Sequence, residues 1–356
     1  MIKNKMLYLM EIDWDWIFQR PQILAVKLDD YFKVEVLYRY SFNRKNLKSK
    51  NKKASNMKKY IQLPKQNQIP FFSTINYVIR NIYSIRINIK KYEYIWISHP
   101  NLFSLIPDKY NGKIIYDCMD QYEDMEPEAT KFKVRIEEDK LIMRADLIFC
   151  SSNYLYNKLA KKRGGNSNIF LIRNGYLESE NYFSVNDAHL KSNYTFAYIG
   201  TIAEWFDFDS IKRSVECFDN INYEIIGPAI NTTKIVNVNY RGIIPHSKLY
   251  ENIQNVDCLI MPFIVNETVL AVDPVKLYEY ISYGKCIISV YYPEISRFEP
   301  LVYFYNNSEE YAKLIKELME TGFKPKYDKK IQRDFLTQNS WEYRVDTINE
   351  KILNNI

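Results

Sequence analysis

Short apolar runs alternate with longer amphipathic segments along the whole chain. Residues 6–10 (MLYLM) and 94–99 (YIWISH) have the length and composition of buried β-strands, and PQILAVKL, from Pro21 onward, has the apolar spacing of a helix that a proline opens. Strands that alternate with helices in this way predict a mostly parallel sheet with helices on both faces.

The same alternation predicts two domains. In the first half, further strands are predicted at VEVLYR, KIIYDCM, DLIFCSS and NIFLIRNG, with a long helix at 129–144. Residues 176–192 are polar and aperiodic, which is typical of a linker, and the alternation then restarts with TFAYIGT. We therefore predict an α/β fold of two Rossmann-like, doubly wound domains, 1–175 and 193–338. A C-terminal helix is predicted at 339–356, and its return to the first domain is left open.

The most informative segment is VDPVKLYEYISYGKCIIS, residues 272–289. Its pattern predicts a loop, a helix from Val275, a stop at Gly284 and a buried strand. Asp273 and Pro274 stand where the helix should begin, and proline is tolerated there because the first helical N–H groups have no intrahelical partner.

Lys276 and Glu279 are three residues apart, so they share one face of this predicted helix. The free N–H groups and the macrodipole of a helix N-terminus attract phosphate, and an ammonium group adds a full charge. A carboxylate one turn later can accept hydrogen bonds from paired hydroxyls, such as those of a ribose. An ordinary crossover helix with a surface ion pair is the alternative.

Length and composition narrow the class of protein. A chain of 356 residues suits two domains, and no apolar run approaches the roughly 18 residues that a membrane-spanning helix needs. The five cysteines are scattered and form no Cys-x-x-Cys pair, which predicts reduced thiols in a cytoplasmic protein. The three histidines lie far apart, so the sequence indicates no zinc cluster.

Charge is distributed unevenly between the halves. Residues 1–175 hold 31 Lys and Arg against 18 Asp and Glu, whereas residues 176–356 hold 18 against 25. Ten of the basic residues lie between Arg39 and Lys65, and the apolar and basic stretch that follows has no acid before Glu93. This pattern predicts a surface that meets anionic lipid. No nucleic-acid-binding motif accompanies it, so nucleic acid is not an expected partner; a solvated loop is the alternative.

Several segments in order resemble a known family. GTIAEWFD, EIIGP, RGIIP, DCLIMPF and DPVKLYEYISYGKCIIS resemble the C-terminal half of GT-B glycosyltransferases. DWDWIFQRPQILA and IIYDCMDQYEDM resemble the TuaH-like branch, which acts in bacterial surface-polysaccharide synthesis, and the lysine motif is more distantly similar to that of GumK. The resemblance implies two domains that face each other across a cleft. It also implies a nucleotide-sugar donor, with UDP as the expected nucleotide, in the C-terminal domain, and the acceptor mainly in the N-terminal one.

The resemblance also implies a donor site. Lys276 would neutralise the donor diphosphate, and Gly200 with Thr201 would end the first strand of the second domain beside phosphate. The remaining implied donor contacts are Arg241, Ile243 and Met261 around the base, and Asp273, Pro274, Val275 and Glu279 along the lysine helix.

Two departures from retaining relatives bear on mechanism. Those enzymes often carry Glu-x7-Glu, but Ala271 stands eight residues before Glu279, and the basic residue expected after the "GT" strand is absent. We therefore expect an inverting transfer, which needs one general base, and neither a metal nor a cofactor. Asp13-Trp14-Asp15 is a weak metal signal at most.

Asp120 is the expected base, because it follows the strand KIIYDCM and should project from its carboxyl end. Asp117 is the rival within that strand, and His99, at the end of the neighbouring strand, could be an acceptor-side contact or an alternative base. Arg20, at a helix start, suits a phosphate or carboxylate, and Trp16 could stack on a sugar face.

The sequence thus predicts a cytoplasmic, peripherally membrane-bound glycosyltransferase with a saccharide or lipid-linked saccharide acceptor. A sugar-nucleotide epimerase with the same fold, or a binding subunit that has lost turnover, are the alternatives.

Overall fold

The computed structural model of the protein describes residues 3–40, 54–61, 70–125, 128–177, 184–185, 188–229 and 232–356. The chain forms two compact units, one made of Met1–Asn174 with Trp341–Ile356 and the other of Gly175–Ser340. Within the described ranges, each unit is built on one parallel sheet.

The first unit has a seven-stranded sheet in the order β3-β2-β1-β4-β5-β6-β7, with every neighbouring pair parallel. Its strands are β1 (Lys5–Met10), β2 (Lys33–Tyr40), β3 (Met57–Ile61), β4 (Tyr94–Ile97), β5 (Lys113–Cys118), β6 (Leu147–Cys150) and β7 (Ile169–Leu171). The order reverses between β1 and β4, which is where open parallel sheets of this kind bind ligands, at the carboxyl ends of the strands.

The helices of the first unit cover this sheet. They are α1 (Arg20–Lys27), α2 (Pro70–Ile87), α3 (Glu128–Arg144), α4 (Asn153–Arg163) and, from the end of the chain, α11 (Trp341–Asn355). Short 3-10 turns follow β4 at Pro100–Leu105 and β5 at Tyr122–Met125. Helix α11 belongs to this unit because its apolar face, which includes Trp341 and Ile348, is buried in the core that also holds Tyr8 and Trp96.

The second unit has a six-stranded parallel sheet in the order β10-β9-β8-β11-β12-β13. Its strands are β8 (Tyr194–Ile199), β9 (Ile221–Ile226), β10 (Val238–Gly242), β11 (Cys258–Met261), β12 (Cys286–Val290) and β13 (Tyr303–Tyr305). Its helices are α5 (Phe208–Cys217), α6 (His246–Ile253), α7 (Glu267–Leu270), α8 (Val275–Ser282), α9 (Ser308–Met319) and α10 (Lys329–Gln338). In order of appearance the strands run 3-2-1-4-5-6, the Rossmann arrangement, so the switch point lies between β8 and β11.

The described part of the stretch interpreted as a linker packs on the second unit. Tyr176 is buried, and its N–H donates to the carbonyl of Asn339 at 2.7 Å. Gly284 has φ +67° just past the end of α8, and a Cβ built there would lie 2.5 Å from the carbonyl oxygen of Ser184. A glycine at this position therefore both ends the helix and lets the preceding segment approach it closely.

The basic stretch is only partly described. Residues 41–53 and 62–69, which include Lys48, Lys50, Lys52 and Lys53, lie outside the described residues. The apolar stretch after them forms α2, whose bounds the sequence pattern did not define. In the described part of the chain, no helix combines the length and apolarity needed to cross a membrane.

Candidate active site

A crevice opens at the switch point of the second sheet because two neighbouring strands part there. The pairing of β8 with β11 ends where Ala197 lies opposite Leu259, although both strands continue. Past that point the N–H of Ile199 donates to the hydroxyl of Tyr280 on α8, at 2.9 Å. The hydroxyl of Tyr280 thus replaces the missing strand partner at Ile199 and ties α8 to the carboxyl end of β8.

The loops that follow β8 and β11 form the rim of this crevice and are tied to each other. Phe206 and Phe263 form an antiparallel bridge, the N–H of Asp207 donates to the Pro262 carbonyl at 2.9 Å, and the N–H of Ile264 donates to the Trp205 carbonyl at 2.8 Å. Backbone hydrogen bonds between the two loops limit their independent motion. The rim is therefore an ordered part of the second unit.

Lys276 lies at this crevice, on the first turn of α8. Its side chain passes over Gly200: a Cβ built on Gly200, whose φ is +152°, would lie 2.1 Å from Lys276 Cε. Its Nζ is 5.8 Å from the ring centres of both Tyr198 and Phe263. Only glycine leaves room at position 200 for the lysine, so the strand end and the helix start form one site.

The charge of Lys276 has no acidic partner in contact with it among the described residues. Burial lowers the pKa of Lys276, and the charge of Glu279 opposes this shift. Pro274 is the N-cap residue of α8 and makes no side-chain cap, and Val275, the first helical residue, is partly exposed. An unpaired ammonium beside an uncapped helix N-terminus is an arrangement that favours a bound anion.

Asp273 has a different role from the predicted donor contact. Its buried carboxylate is paired with Arg297 and lies 3.3 Å from the hydroxyl of Tyr278. Arg297 also pairs with Glu294 at 3.3 Å and lies over the ring of Phe298 at 4.3 Å. A buried carboxylate that is engaged in this way is not available to a ligand, and it anchors the loop from which α8 starts.

Glu279 lies one turn after Lys276 and faces another helix start. Its Oε1 is 3.5 Å from Nε2 of His246, the first residue of α6, and the carboxylate is about one-third exposed. The interaction with Glu279 raises the pKa of His246, and burial opposes that shift.

The residues expected to flank the nucleobase differ in their exposure. Arg241 and Ile243 are exposed at the end of β10, and Arg241 pairs with Glu224 at 3.1 Å. Met261 is fully buried, because β11 is a central strand covered on both faces. A direct contact between Met261 and a ligand is therefore not supported. Thr201 is partly exposed, and its carbonyl accepts from the hydroxyl of Tyr198 at 2.9 Å.

In the first unit, Asp117 and Arg20 form a buried ion pair. Arg20 Nη2 lies 2.7 Å from Asp117 Oδ1, and its Nη1 donates to the Ile172 carbonyl at 2.8 Å. The guanidinium also lies 5.8 Å from the ring of Trp341. Both partners are almost inaccessible to solvent, so the geometry supports neither a phosphate contact by Arg20 nor proton transfer by Asp117.

Asp120 and His99 lie at the carboxyl ends of the adjacent strands β5 and β4, and both are half-buried. Burial raises the pKa of Asp120 to about 6. The charge of Arg20 opposes this shift, and the charge of Asp117 adds to it. Nδ1 of His99 accepts from the Asn101 N–H at 3.2 Å, and its ring lies 4.4 Å from that of Tyr122. Nδ1 of His99 is thus occupied by a helix-capping hydrogen bond, whereas a carboxyl with a pKa near neutrality suits proton transfer.

The two tryptophans of the first loop have opposite environments. Trp16 is 46% exposed, whereas Trp14 is buried in the core of the first unit. Trp16 therefore stays available for stacking on a ligand. The described residues include no group of three or more His, Cys, Asp or Glu that could hold a metal ion. Metal independence stays a prediction.

Comparison with protein families found no matching family model. The glycosyltransferase TuaH of Bacillus subtilis (strain 168), which is named for teichuronic acid biosynthesis, is 26% identical to this chain over 235 residues. The match spans 59% of this chain and 59% of that relative. The resemblance to the TuaH-like branch is therefore confirmed.

Solved structures match nearly the whole chain. Sucrose-phosphate synthase from Thermosynechococcus elongatus superposes with a TM-score of 0.72 at 10% identity, covering 99% of each chain. The lipopolysaccharide outer core galactosyltransferase WaaB gives 0.69 at 12% identity, covering 99% of this chain and 100% of that one. The chain has the GT-B fold. Anabaena HepE, solved with UDP-glucose, gives 0.68 at 11% identity, with 99% of this chain and 100% of that one covered.

Two residues of this GT-B chain were missed by sequence reasoning. His246 directly follows RGIIP, the motif expected beside the base, and this adjacency is the sequence signal that points to it. Arg297 lies 24 residues after Asp273, and no local pattern connects them. Asp273 and Arg297 come together only because the segment before α8 packs against the turn that follows β12.

Proposed function

We propose that the protein is a glycosyltransferase that moves a sugar from a UDP-sugar to a saccharide or lipid-linked saccharide acceptor in bacterial surface-polysaccharide synthesis. The observation that carries this proposal is the unpaired Lys276 ammonium, held over Gly200 at the switch point of the second sheet. The names of its relatives support it, since TuaH and WaaB are named as glycosyltransferases and HepE was solved with UDP-glucose.

The donor would bind along the second unit with its diphosphate at the start of α8. Lys276 and the first N–H groups of the helix would neutralise the diphosphate, whose charge grows as the sugar leaves. Glu279 would accept hydrogen bonds from the ribose hydroxyls. The exposed end of β10, near Arg241 and Ile243, would lie beside the base.

The transfer would be inverting, with Asp120 as the general base. Its carboxylate would take the proton of the acceptor hydroxyl while that oxygen attacks the anomeric carbon from the face opposite UDP. The bond from the anomeric carbon to the phosphate oxygen then breaks, and UDP leaves with the electron pair. Ala271, where retaining relatives often have glutamate, is buried and has no group to offer a sugar.

A screen of sugar nucleotides tests this function. The protein is incubated with UDP- and GDP-sugars and candidate lipid-linked acceptors, and mass spectrometry follows nucleotide release and acceptor mass. We expect UDP release together with an acceptor heavier by one sugar, and NMR of the product should show the anomeric configuration inverted. A changed sugar on intact UDP would indicate the epimerase instead, and nucleotide binding without turnover would indicate a binding subunit.

We further propose that the first unit docks on an anionic membrane at the cytoplasmic face. On α2, Phe71, Val78 and Ile82 are exposed by 69%, 50% and 45%, and their spacing of seven and four residues places them on one stripe. Exposed lysines accompany this helix, on the preceding strand and the following turn: Lys58, Lys59, Lys90 and Lys91. An apolar stripe flanked by basic residues suits the interface of a bilayer that holds a lipid-linked acceptor.

The protein should sediment with anionic vesicles and hardly with neutral ones. Binding should fall at high salt, because the Debye length shrinks from about 10 Å at 0.1 M to about 3 Å at 1 M. Replacing Lys48, Lys50, Lys52 and Lys53 with serine should weaken the electrostatic part. The double variant Phe71→Ser/Val78→Ser should weaken the apolar contribution to binding, which persists at high salt.

Leu353→Ser, at an exposed apolar position of α11, is the matched control and should change nothing. Equal sedimentation with both kinds of vesicle, or with neither, would contradict membrane docking.

A further inference from the structure

The pair formed by His246 and Glu279 is not explained by packing. Both side chains are accessible, at 68% and 32% exposure, and the pair joins the first residue of α6 to the middle of α8. Accessible ion pairs contribute little to folding stability, typically about 0–1 kcal/mol. A role for this pair in stability is therefore a weak explanation of its geometry.

Only one oxygen of the Glu279 carboxylate has a partner among the described residues. Oε1 faces Nε2 of His246 at 3.5 Å, whereas Oε2 has no hydrogen bond or ion pair with the described residues. An ionised carboxylate can accept at both oxygens, so one oxygen can be held by the imidazole while the other receives a ligand hydroxyl. Imidazole carries an N–H at Nε2 in its charged form and in one neutral tautomer, so it can offer a donor to this oxygen.

The order of groups along this face matches the order of groups in a nucleotide. Lys276 lies at the crevice, Glu279 follows one turn later, and His246 contacts Glu279 from the end of the β10–α6 loop, in which Ile243 is exposed. A nucleoside diphosphate presents phosphate, ribose and base in that sequence. With a donor bound as proposed, the imidazole would therefore lie on the base side of the carboxylate that faces the ribose.

We propose that His246 is a positioning residue that holds Glu279 in the orientation that accepts the ribose hydroxyls, so that the pair selects ribonucleotide over deoxyribonucleotide donors. This inference rests on the proposed function, since it assumes that UDP occupies the crevice. His246 would then be a second residue, besides Glu279, that contributes to recognition of the ribose. Its contact with Glu279 would also connect the β10–α6 loop, near the base, to helix α8, near the phosphates.

Binding of two nucleotides to the full-length protein tests this role without any need for turnover. Calorimetry compares UDP with 2′,3′-dideoxy-UDP, which lacks both ribose hydroxyls. His246→Ala should weaken the binding of UDP about 3- to 10-fold, the size of effect expected when one polar contact is lost, and change the binding of the dideoxy analogue less than about 2-fold. His246→Gln, whose amide can still donate to Glu279, should recover most of the affinity for UDP. His189→Ala removes another exposed histidine of the same unit and should change neither ligand.

A double-variant cycle decides whether His246 acts through Glu279. Glu279→Gln should remove most discrimination between the two nucleotides, and adding His246→Ala to it should change little further. Unchanged melting temperatures would exclude a merely structural effect. Equal weakening of both nucleotides by His246→Ala, or no effect on either, would overturn the proposal for His246 while leaving the donor site intact. If the unaltered protein bound neither UDP nor UDP-sugars, both the proposed function and this inference would fall.

Discussion

Asp120→Asn should lower the rate of transfer by about 10³-fold or more and leave the affinity for UDP nearly unchanged. General base catalysis is typically worth about 10²- to 10⁴-fold, and the amide cannot take the proton of the acceptor hydroxyl. Donor affinity should persist because the groups proposed to bind UDP belong to the second unit. Single-turnover kinetics with saturating donor, together with calorimetry of UDP, separate the two quantities.

The pH profile provides an independent test of the same residue. The pKa of Asp120 is raised to about 6, chiefly by burial, and a base must be deprotonated to act. The value of kcat/KM should therefore fall as the pH drops below about 6 and reach a plateau above it. The residual activity of Asp120→Asn should lack this acidic limb.

Asp117→Asn is the matched control, because it changes the neighbouring carboxylate of the same segment in the same way. Asp117 is paired with buried Arg20, so its loss should lower the free energy of unfolding by about 3 kcal/mol. Activity per folded molecule should change much less than in Asp120→Asn. If instead Asp117→Asn were stable and inactive while Asp120→Asn stayed active, the base would be Asp117.

Lys276→Ala should lower turnover by about 10²- to 10³-fold, the usual cost of one lost charge contact to a developing anion in an active site. The affinity for UDP should also fall, since the ammonium faces the proposed diphosphate already in the bound state. The free energy of unfolding should not fall, because Lys276 is a desolvated cation without a contacting acidic partner among the described residues.

Two further variants, one of a control lysine and one of Gly200, sharpen this prediction. Lys248→Ala removes an exposed lysine of α6 and should have no effect on rate or binding. Gly200→Ala should reproduce part of the loss, because a Cβ at that position would lie 2.1 Å from Lys276 Cε and displace the lysine. A normal rate for Lys276→Ala with every UDP-sugar that the unaltered protein uses would show that the donor site lies elsewhere.

Features that depend on short stretches of chain could be predicted from the sequence alone. The alternation of apolar runs and amphipathic segments predicted the α/β class, and the start of α8 at Val275 and its end before Gly284 agree with the structure. Lys276 and Glu279 could be placed on one helical face, since helical periodicity depends only on spacing along the chain.

Which of these residues lie next to each other depends on the packing of the whole unit. The order of strands brings Gly200 under Lys276, and it pairs Arg20 with Asp117 across 97 positions of sequence. It also buries Met261 in a central strand and sets His246 beside Glu279. Side-chain spacing along one segment carries no information about the neighbour of a strand, because sheet order follows from how helices and strands pack together over the whole unit.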